Sequence, residues 1–486
     1  MSNVVSPSGL PSGWAWVELG DLAEVNPRRP TTSELQHENL VTFVPMSAVE
    51  QETGIADFST LRPLTEVARG YTAFRESDIL FAKITPCMEN GKVAIARGLR
   101  STWGFGSTEF HVLRPPDDVN PDYLLHFLLQ GVVRREAQRH MTGTAGQLRV
   151  PKEFLRQLQF PLPPLPEQRR IVARLEELFS RLDAGTAALE QARAQLALYR
   201  QAVLRDAFQG KLTAAWREAH RGELESASAL LERIRREREA AAPARGRRQA
   251  REPEPLDTSE LPELPEGWVW ATVEDVAENH DRLRVPVTSS DRKPGPYAYY
   301  GASGVIDSVQ DYLFDGDYLL LAEDGANLLA RSTPISFQAH GKFWVNNHAH
   351  VLSLPAGMPL SYLEHYFNSL NIARYVTGTA QPKLTQKNMN SLPVPIAPPS
   401  EQMAIAYEVE RRLSVADATE RELVGDSERG LALRQAILRS AFSGKLVPQD
   451  PNDEPADALL ARIEQARQAD QPTRSTRGKP AQERLL

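Results

Sequence analysis

The chain is written twice. LPSGWAWVELGDLAEV at 10–25 returns as LPEGWVWATVEDVAEN at 264–279, and TGTAGQLRVPKEF at 142–154 returns as TGTAQPKLTQKNM at 377–389. PLPPLPEQRRI at 161–171 returns as PIAPPSEQMAI at 395–405, and YRQAVLRDAFQGKL at 199–212 as LRQAILRSAFSGKL at 433–446. ASALLERIRRE at 227–237 returns as ADALLARIEQA at 456–466. The order is the same in both halves. The offsets are 254, 235, 234, 234 and 229, so insertions and deletions fall between the blocks. This period far exceeds the roughly 20–50 residues of a solenoid or propeller unit. The duplication is therefore a tandem pair of whole modules, and the architecture of one half constrains the other.

Each module has two parts. The first is a mixed segment, 14–160 and again 268–392, with short apolar runs broken by Gly, Pro, Asn and Asp. DILFAKI (78–84), KVAIA (92–96), FHVLRP (110–115), DYLLLAEDG (317–325) and HAHVLSL (348–354) read as strands and turns. PDYLLHFLLQGVVRREAQ (121–138) and SYLEHYFNSLNIARYV (361–376) read as helical. The expectation is an α+β globule in each half.

The second part is a long helix. Prolines 161, 163, 164 and 166 precede Glu167, and Pro398 and Pro399 precede Ser400, where proline is tolerated only up to the first helical turn. From there Ile171, Leu175, Leu178, Leu182, Gly185, Leu189, Ala192, Leu196, Tyr199 and Val203 step by four and three, the 3.5-residue period of a coiled-coil seam. The second copy keeps Ile405, Val409, Ala416, Leu423, Leu433 and Ile437 on this line but places Arg412, Asp426 and Gly430 there too. Gly210 and Gly444 mark the helix ends. Two such helices pair most simply with each other, antiparallel, as a spacer of about 60 Å. The expected fold class is thus α+β: two tandem mixed α/β domains separated by two long antiparallel coiled-coil helices, related by an internal pseudo-two-fold. The expected boundaries are 1–160 and 268–392 for the domains, 161–237 and 393–467 for the helical regions, 238–267 for a linker and 468–486 for a disordered tail. Arginines Arg245, Arg247, Arg248 and Arg251 of the linker read as solvated charge.

Length allows two to four domains, and a hydrophobic content of 41% supplies real cores. The longest apolar stretch, DYLLHFLLQGVV at 122–133, is short of the ~18 residues of a membrane helix. The opening MSNVVSPSGLPSG lacks a basic start and apolar stretch, so no secretory signal is expected. Cys87 is the single cysteine, which excludes an internal disulfide and fits a reducing cytoplasm. The net charge of −7 speaks against a nucleic-acid partner until its distribution is considered. Residues 252–281 hold ten acids and no Lys or Arg, so the remainder of the chain carries +3.

No catalytic pattern emerges. GxxxxGK[ST], a strand-borne GxGxxG, [DNS]PP[YF], HExxH and GxSxG are all absent. His348 and His350 alternate along an expected strand near His340, but no third close ligand completes a metal set. Glu323 and Asp324 lack the PD…(D/E)xK context of a nuclease and suit a turn or a DNA contact better.

The doubled proline-rich entry closing on EQ at 161–178 (PPLPEQ) and 395–405 (PPSEQ), with the RQAxLRxAFxGKL exit at 199–212 and 433–446, resembles the specificity subunits of type I restriction–modification systems. The openings GWAWVELGDL (13–22) and GWVWATVEDV (267–276) are similar to that family's domain starts. YYGASGVID (299–307) with FDGDYLLLAEDGANL (314–328) is similar to one variety of its recognition domain. The resemblance spans roughly 10–465. It implies two target-recognition domains, each reading half of an interrupted, asymmetric site on double-stranded DNA. It implies helices that set the gap and dock two methyltransferase subunits, with a motor-nuclease subunit as an optional addition and no membrane partner. It implies that S-adenosylmethionine binds to the methyltransferase, so no cofactor and no catalytic residue are expected on this chain. The alternatives are a single-chain fused restriction enzyme with its own catalysis and a coiled-coil scaffold without a DNA role.

Given DNA as a partner, Lys and Arg suit phosphate or guanine, and Asn and Gln suit adenine. The repeated TGTA segments are candidates: Thr142, Thr144, Gln147 and Arg149, and Thr377, Thr379, Gln381 and Lys383. Residues 134–152 carry five basic residues and one acid. TGTA reads equally well as a structural turn before the long helix. Lys83, Thr85, Asn90, Lys92, Ser107, Thr108 and Glu109 are further candidates in the first copy. Tyr299, Ser303, Asn327, Asn346, Asn347 and His348 join Glu323 and Asp324 in the second. The tryptophans Trp14, Trp16, Trp268 and Trp270 recur at matched positions, where packing explains them better than base stacking.

Overall fold

A computed structural model describes residues 9–36, 38–144, 146–241, 256–378 and 381–469. These fall into two compact units, one within 1–189 and 425–486, the other within 190–424.

In the first unit an antiparallel sheet has the spatial order Glu24–Val25, Phe110–Arg114, Ile79–Ala82, Val93–Ile95. We label Ile79–Ala82 β1 and Phe110–Arg114 β2. A second sheet runs Leu61–Pro63, Leu40–Val44, Gly104–Gly106, Thr72–Phe74, with 40–44 parallel to 104–106. Side chains alternate across a strand, and β1 uses both faces. Ile79 and Phe81 join Tyr123 and Phe127 of the helix Pro121–Leu128, while Leu80 and Ala82 meet Val44 and Phe74 of the second sheet. That double burial explains why DILFAKI is apolar at every β1 position. The Asn120 side chain caps the helix by accepting the Asp122 and Tyr123 N–H groups at 2.9 and 3.3 Å, with Pro121 in the first turn. A short hairpin of β3 (Thr142–Thr144) and β4 (Gln147–Arg149) follows.

The long helix α1 spans Leu165–Phe208, and α2 spans Ala227–Ala241. The second unit then repeats the first. Its sheets have the orders Glu278–Asn279, Ala349–Ser353, Tyr318–Ala322, Ser336–Ala339 and Gly304–Val309, Tyr297–Gly301, Lys342–Val345, Phe314–Asp315. Here 297–301 is parallel to 342–345. We label Tyr297–Gly301 β5, Gly304–Val309 β6, Tyr318–Ala322 β7 and Ala349–Ser353 β8. Helix α3 spans Pro399–Phe442 and α4 spans Ala456–Ala469. The duplication therefore reaches strand order and chain direction. Helices extend to 241 and 469, past the expected starts of the linker and tail. The linker arginines lie outside the described residues.

Helices α1 and α3 have 44 residues each, about 66 Å at 1.5 Å per residue. Their antiparallel pairing is visible inside each unit. Ile171, Leu175 and Phe179 near the start of α1 share a core with Leu438, Ala441 and Phe442 at the end of α3. Val203, Ala207 and Phe208 at the end of α1 share one with Ile405 and Val409 near the start of α3. Leu178, Leu182, Leu189, Leu196, Leu423 and Ile437 are partly covered. Two expected seam residues are not in the seam: Tyr199 is 42% exposed and Leu433 50%. One residue is about 100° of helix, and the neighbour faces inward in both cases. Arg200 reaches Asp417 and Glu420 at 2.5 and 2.6 Å. The Arg434 guanidinium lies 4.2 Å over the Phe179 ring and pairs with Asp183.

The repeated sequence signature is explained by one set of contacts. Trp14 Nε1 donates to Glu167 at 3.0 Å, and Trp268 Nε1 donates to Glu401 at 2.9 Å. Gln168 Nε2 donates to the Pro163 carbonyl and Gln402 Nε2 to that of Ala397, at 3.0 and 2.8 Å. The domain-opening GW and the helix-opening EQ are thus two halves of one buried joint. A short antiparallel ladder closes each: Ala15–Glu18 on Gln159–Leu162 and Val269–Thr272 on Pro393–Ile396. Helices α2 and α4 lock the same places, since Ala227 N donates to Gly267 O and Ala456 N to Gly13 O.

Candidate nucleic-acid interface

The TGTA segments occupy equivalent positions. In the first unit, Thr85 N donates to Leu148 O at 3.0 Å and Val150 N to Lys83 O at 2.8 Å, so β4 is stitched to the end of β1. In the second, Gly325 N donates to Pro382 O at 3.0 Å and Leu384 N to Glu323 O at 2.7 Å, and the 377–384 turn meets the end of β7. The glycine of each turn is structural. A Cβ on Gly143 would stand 2.7 Å from Gln147 O, and one on Gly378 2.6 Å from Gln381 O; both have positive φ. The side chains of Thr142, Thr144, Gln147, Thr377 and Gln381 are exposed around this frame. Thr379 lies outside the described residues.

A histidine holds each turn from beneath. His111 Nε2 bonds the Val150 carbonyl and His350 Nε2 the Leu384 carbonyl, both at 2.8 Å. The two rings differ on their other side. Asn26 Oδ1 accepts the Val112 N–H at 3.0 Å, leaving its amide nitrogen to face His111 Nδ1 at 3.0 Å. A neutral ring fits there, and burial, opposed by the Val150 carbonyl, pulls the His111 pKa below the ordinary value. In the second unit Asp281 accepts both the Val351 N–H and His350 Nδ1, at 2.9 and 2.5 Å. Burial raises the Asp281 pKa, but bonds from His350, Asn279 and the Val351 N–H prevail and lower it. Recurrence of His-Val-Leu in FHVL and AHVL was the available signal for this pair, and a strand-only reading misses it.

The charges on the two surfaces are exchanged. In the first, Arg149 grips Glu109 at 2.7 and 2.9 Å beside Lys83. The Arg149 bonds hold the Glu109 carboxyl below its usual range against partial burial, and Lys83 assists. In the second, Glu323 stands in place of Lys83 and takes Lys383 at 3.0 Å and Arg284 at 2.6 Å. Asp324 takes His348 at 2.9 Å. Burial raises the Glu323 pKa, while Arg284 and Lys383 more than offset it and lower it.

Asp281, Glu323 and His350 bring three ligand-type atoms within 4.8 Å of one another. Both His350 nitrogens already bond acceptors, and Arg284 and Lys383 supply positive charge to the carboxylates. This is a salt-bridged cluster, and its donor set does not suit a metal ion. His348 and His350 do not act jointly, because each has its own carboxylate; His340 pairs separately with Asp317 at 2.8 Å.

Several sequence candidates are corrected. Tyr299 is fully buried, its hydroxyl bonded to the Val287 backbone, and cannot touch DNA. Asn346 is buried and accepts the His348 N–H at 2.8 Å. Asn327 is committed to Thr333 and Ser332. Lys92 donates its ammonium to the Met46 carbonyl at 2.9 Å. Ser107 accepts the Glu109 N–H, forming the turn into β2. The Thr85 hydroxyl donates to Glu89 at 2.9 Å, and Asn90 is half-buried. Thr108, Ser303 and Asn347 are exposed. The basic surplus of 134–152 is largely neutralised, with Arg134 on Glu52, Arg139 on Glu136 and Arg149 on Glu109.

Residues 11–194 and 265–418, more than half of the chain, match the family model described as the type I restriction modification DNA specificity domain. The specificity subunit of the type I restriction enzyme EcoEI of Escherichia coli is 26% identical over 518 residues, covering 90% of this chain and 84% of that protein. That of EcoDI, also from Escherichia coli, is 23% identical and covers 98% and 100%. Among solved structures, the HsdS subunit of Thermoanaerobacter tengcongensis superposes with a TM-score of 0.55 at 19% identity, covering 90% and 99%. A chain from a study of complex assembly and conformational transition in a type I R-M system reaches 0.67 at 20% identity, covering 90% and 100%. These structural likenesses establish the fold. With the family match across both copies, the chain belongs to the type I restriction–modification DNA specificity family.

Proposed function

We propose that the chain reads a bipartite, asymmetric site on double-stranded DNA, one half-site per head, and contributes no catalytic group. The observation that carries this reading is the pair of equivalent turns, each presenting exposed Thr and Gln side chains on a rigid frame. The heads lie within 1–160 and 268–392, and the helical regions within 161–237 and 393–467. The proposed contacts are Lys83, Thr142, Thr144, Gln147, Arg149 and Thr108 in the first head. In the second they are Ser303, Asn347, His348, Thr377, Gln381 and Lys383, with Thr379 expected beside them. Arg149 and Lys383 are tied to carboxylates, so DNA competes with Glu109 and Glu323 for them; phosphate and guanine are the acceptors able to do so. Two methyltransferase subunits dock on the helices and bring S-adenosylmethionine; a motor-nuclease subunit is an optional addition.

The test is geometric. A host is given the chain and its methyltransferase, with seven residues inserted at matched points of α1 and α3, and its methylome is sequenced. Seven residues preserve the seam and add about 10 Å, against about 3.4 Å per base pair. The expected site keeps both half-sequences and gains about three base pairs of gap. Altered half-sequences at an unchanged gap would refute the spacer role. Methyl transfer by the purified chain alone would establish the fused-enzyme alternative, and absence of any bipartite preference the scaffold.

A further inference from the structure

Strand β6 is the edge of its sheet, where exposed apolar side chains are a hazard that proteins usually avoid. Yet Val305 and Ile306 on β6 are 60% and 50% exposed. The β5–β6 register explains how Ile306 is aimed. Tyr299 opposes Asp307 and Tyr300 opposes Val305, which leaves Ile306 as the extra residue of a β-bulge. Bulges redirect a side chain and gather beside functional sites. Ile306 lies over Gly301. A Cβ at Gly301 would stand 3.1 Å from Ile306 Cδ1 and 3.5 Å from Asn346 Nδ2, so glycine allows the isoleucine to settle next to Asn346. Asn346 accepts the His348 N–H, and His348 pairs with Asp324, which bridges to Lys383 of the 377–384 turn. A small apolar pad is thus continuous with the polar groups assigned to DNA. In the first head the corresponding strands, 40–44 and 61–63, are joined by the whole segment 45–60 and pair without a register shift, although Leu40 and Leu61 there are also exposed.

We propose that Ile306, supported by Val305, is a specificity-determining contact of the second head that reads the C5-methyl group of a thymine in the major groove. This rests on the DNA-reading function proposed above. Apolar contact with that methyl is one of the ways a protein distinguishes thymine. Ile306 is half covered where it packs beside Gly301 and Asn346, which suits a groove contact better than a wedge between base pairs. Two apolar side chains among Asn, His and Asp form a patch far smaller than a stable protein interface.

The experiment uses the chain assembled with its methyltransferase subunits, on duplexes carrying the site found by methylome sequencing. Thymines of the second half-site are replaced singly by deoxyuridine, which removes only the methyl group. One replacement is expected to weaken wild-type binding about three- to tenfold. Ile306→Ser should bind the thymine duplex as weakly as wild type binds the uracil duplex, and should no longer tell them apart. Ile306→Ala serves if the serine variant folds poorly. The proposal is overturned if no uracil replacement matters to wild type, if that half-site lacks thymine, or if the variants still discriminate. It is equally overturned if the variants fail to assemble with the methyltransferase, which would place Ile306 at a subunit contact. A complex with no preferred site would instead defeat the DNA-reading function itself.

Discussion

Glu401→Ala should lower the thermal midpoint of the full chain by about 10 °C, and Glu167→Ala, at the equivalent position, by much less. Glu401 is fully buried. It accepts from Trp268 Nε1 at 2.9 Å and from Thr213 Oγ1 at 2.7 Å, and it pairs with Arg217 at 3.3 Å. Removing the carboxylate strands two neutral donors and one mostly buried cation. Breaking a buried ion pair from one side costs about 3–5 kcal/mol, and each kcal/mol moves the midpoint of a unit this size by about 2–4 °C. Glu167 accepts from Trp14 and from Gln449, both neutral, so its removal should cost about 1–2 kcal/mol. Differential scanning calorimetry of both variants checks this. Equal losses would show that the Arg217 charge is not what separates the two joints.

The first unit should lose about 3 kcal/mol of stability between pH 6.5 and pH 4 through one side chain. Burial pushes the His126 imidazole down to about 4; Asp122 opposes this, while Arg434 and Arg97 add to it. Its Nδ1 is buried with no hydrogen-bond partner among the described residues. The folded pKa lies below the unfolded value of about 6.5, so the unfolded chain takes up the proton first as pH falls. The stabilisation is therefore complete above pH 6.5 and is lost as pH falls toward 4. His111, lowered chiefly by burial, acts in the same sense in the first unit, and His365 does so in the second. In the second unit Asp281 and Glu323, also lowered, lose their stabilisation as pH falls through and below the ordinary carboxylate range. Urea unfolding of wild type and His126→Leu at pH 7.5 and pH 4 measures this. The variant should lose about 3 kcal/mol less on acidification, and an unchanged pH dependence would contradict the assignment.

The duplication, the two long helices and the antiparallel α+β plan were legible because they rest on patterns that local physics imposes: repeated blocks, prolines confined to the first turn, a 3.5-residue period. The details that escaped depend on partners distant in the chain. Leu433 satisfies the heptad arithmetic, but Arg434 faces Phe179 because the register is set by the opposing helix. Tyr299 and Tyr300 are adjacent in a strand with apolar or aromatic residues on both faces, so parity alone does not tell which is buried. The bulge at Ile306 shifts the parity again on the facing strand. Asn327 and Asn346 have the composition of DNA-facing loops, yet their amides hold local turns, a use of asparagine that sequence does not separate from recognition. His111 and His350 were visible as residues, but their role as props under the turns depends on the Val150 and Leu384 carbonyls, 39 and 34 positions away.

On the proposed function, two structurally equivalent heads act independently, each on its own half-site. The most direct test replaces residues 14–160 with the corresponding segment of a family member of different specificity and sequences the methylome of the host. The expected result is a new sequence in one half of the site, with the other half and the gap unchanged. A site altered in both halves, or in neither, would contradict it.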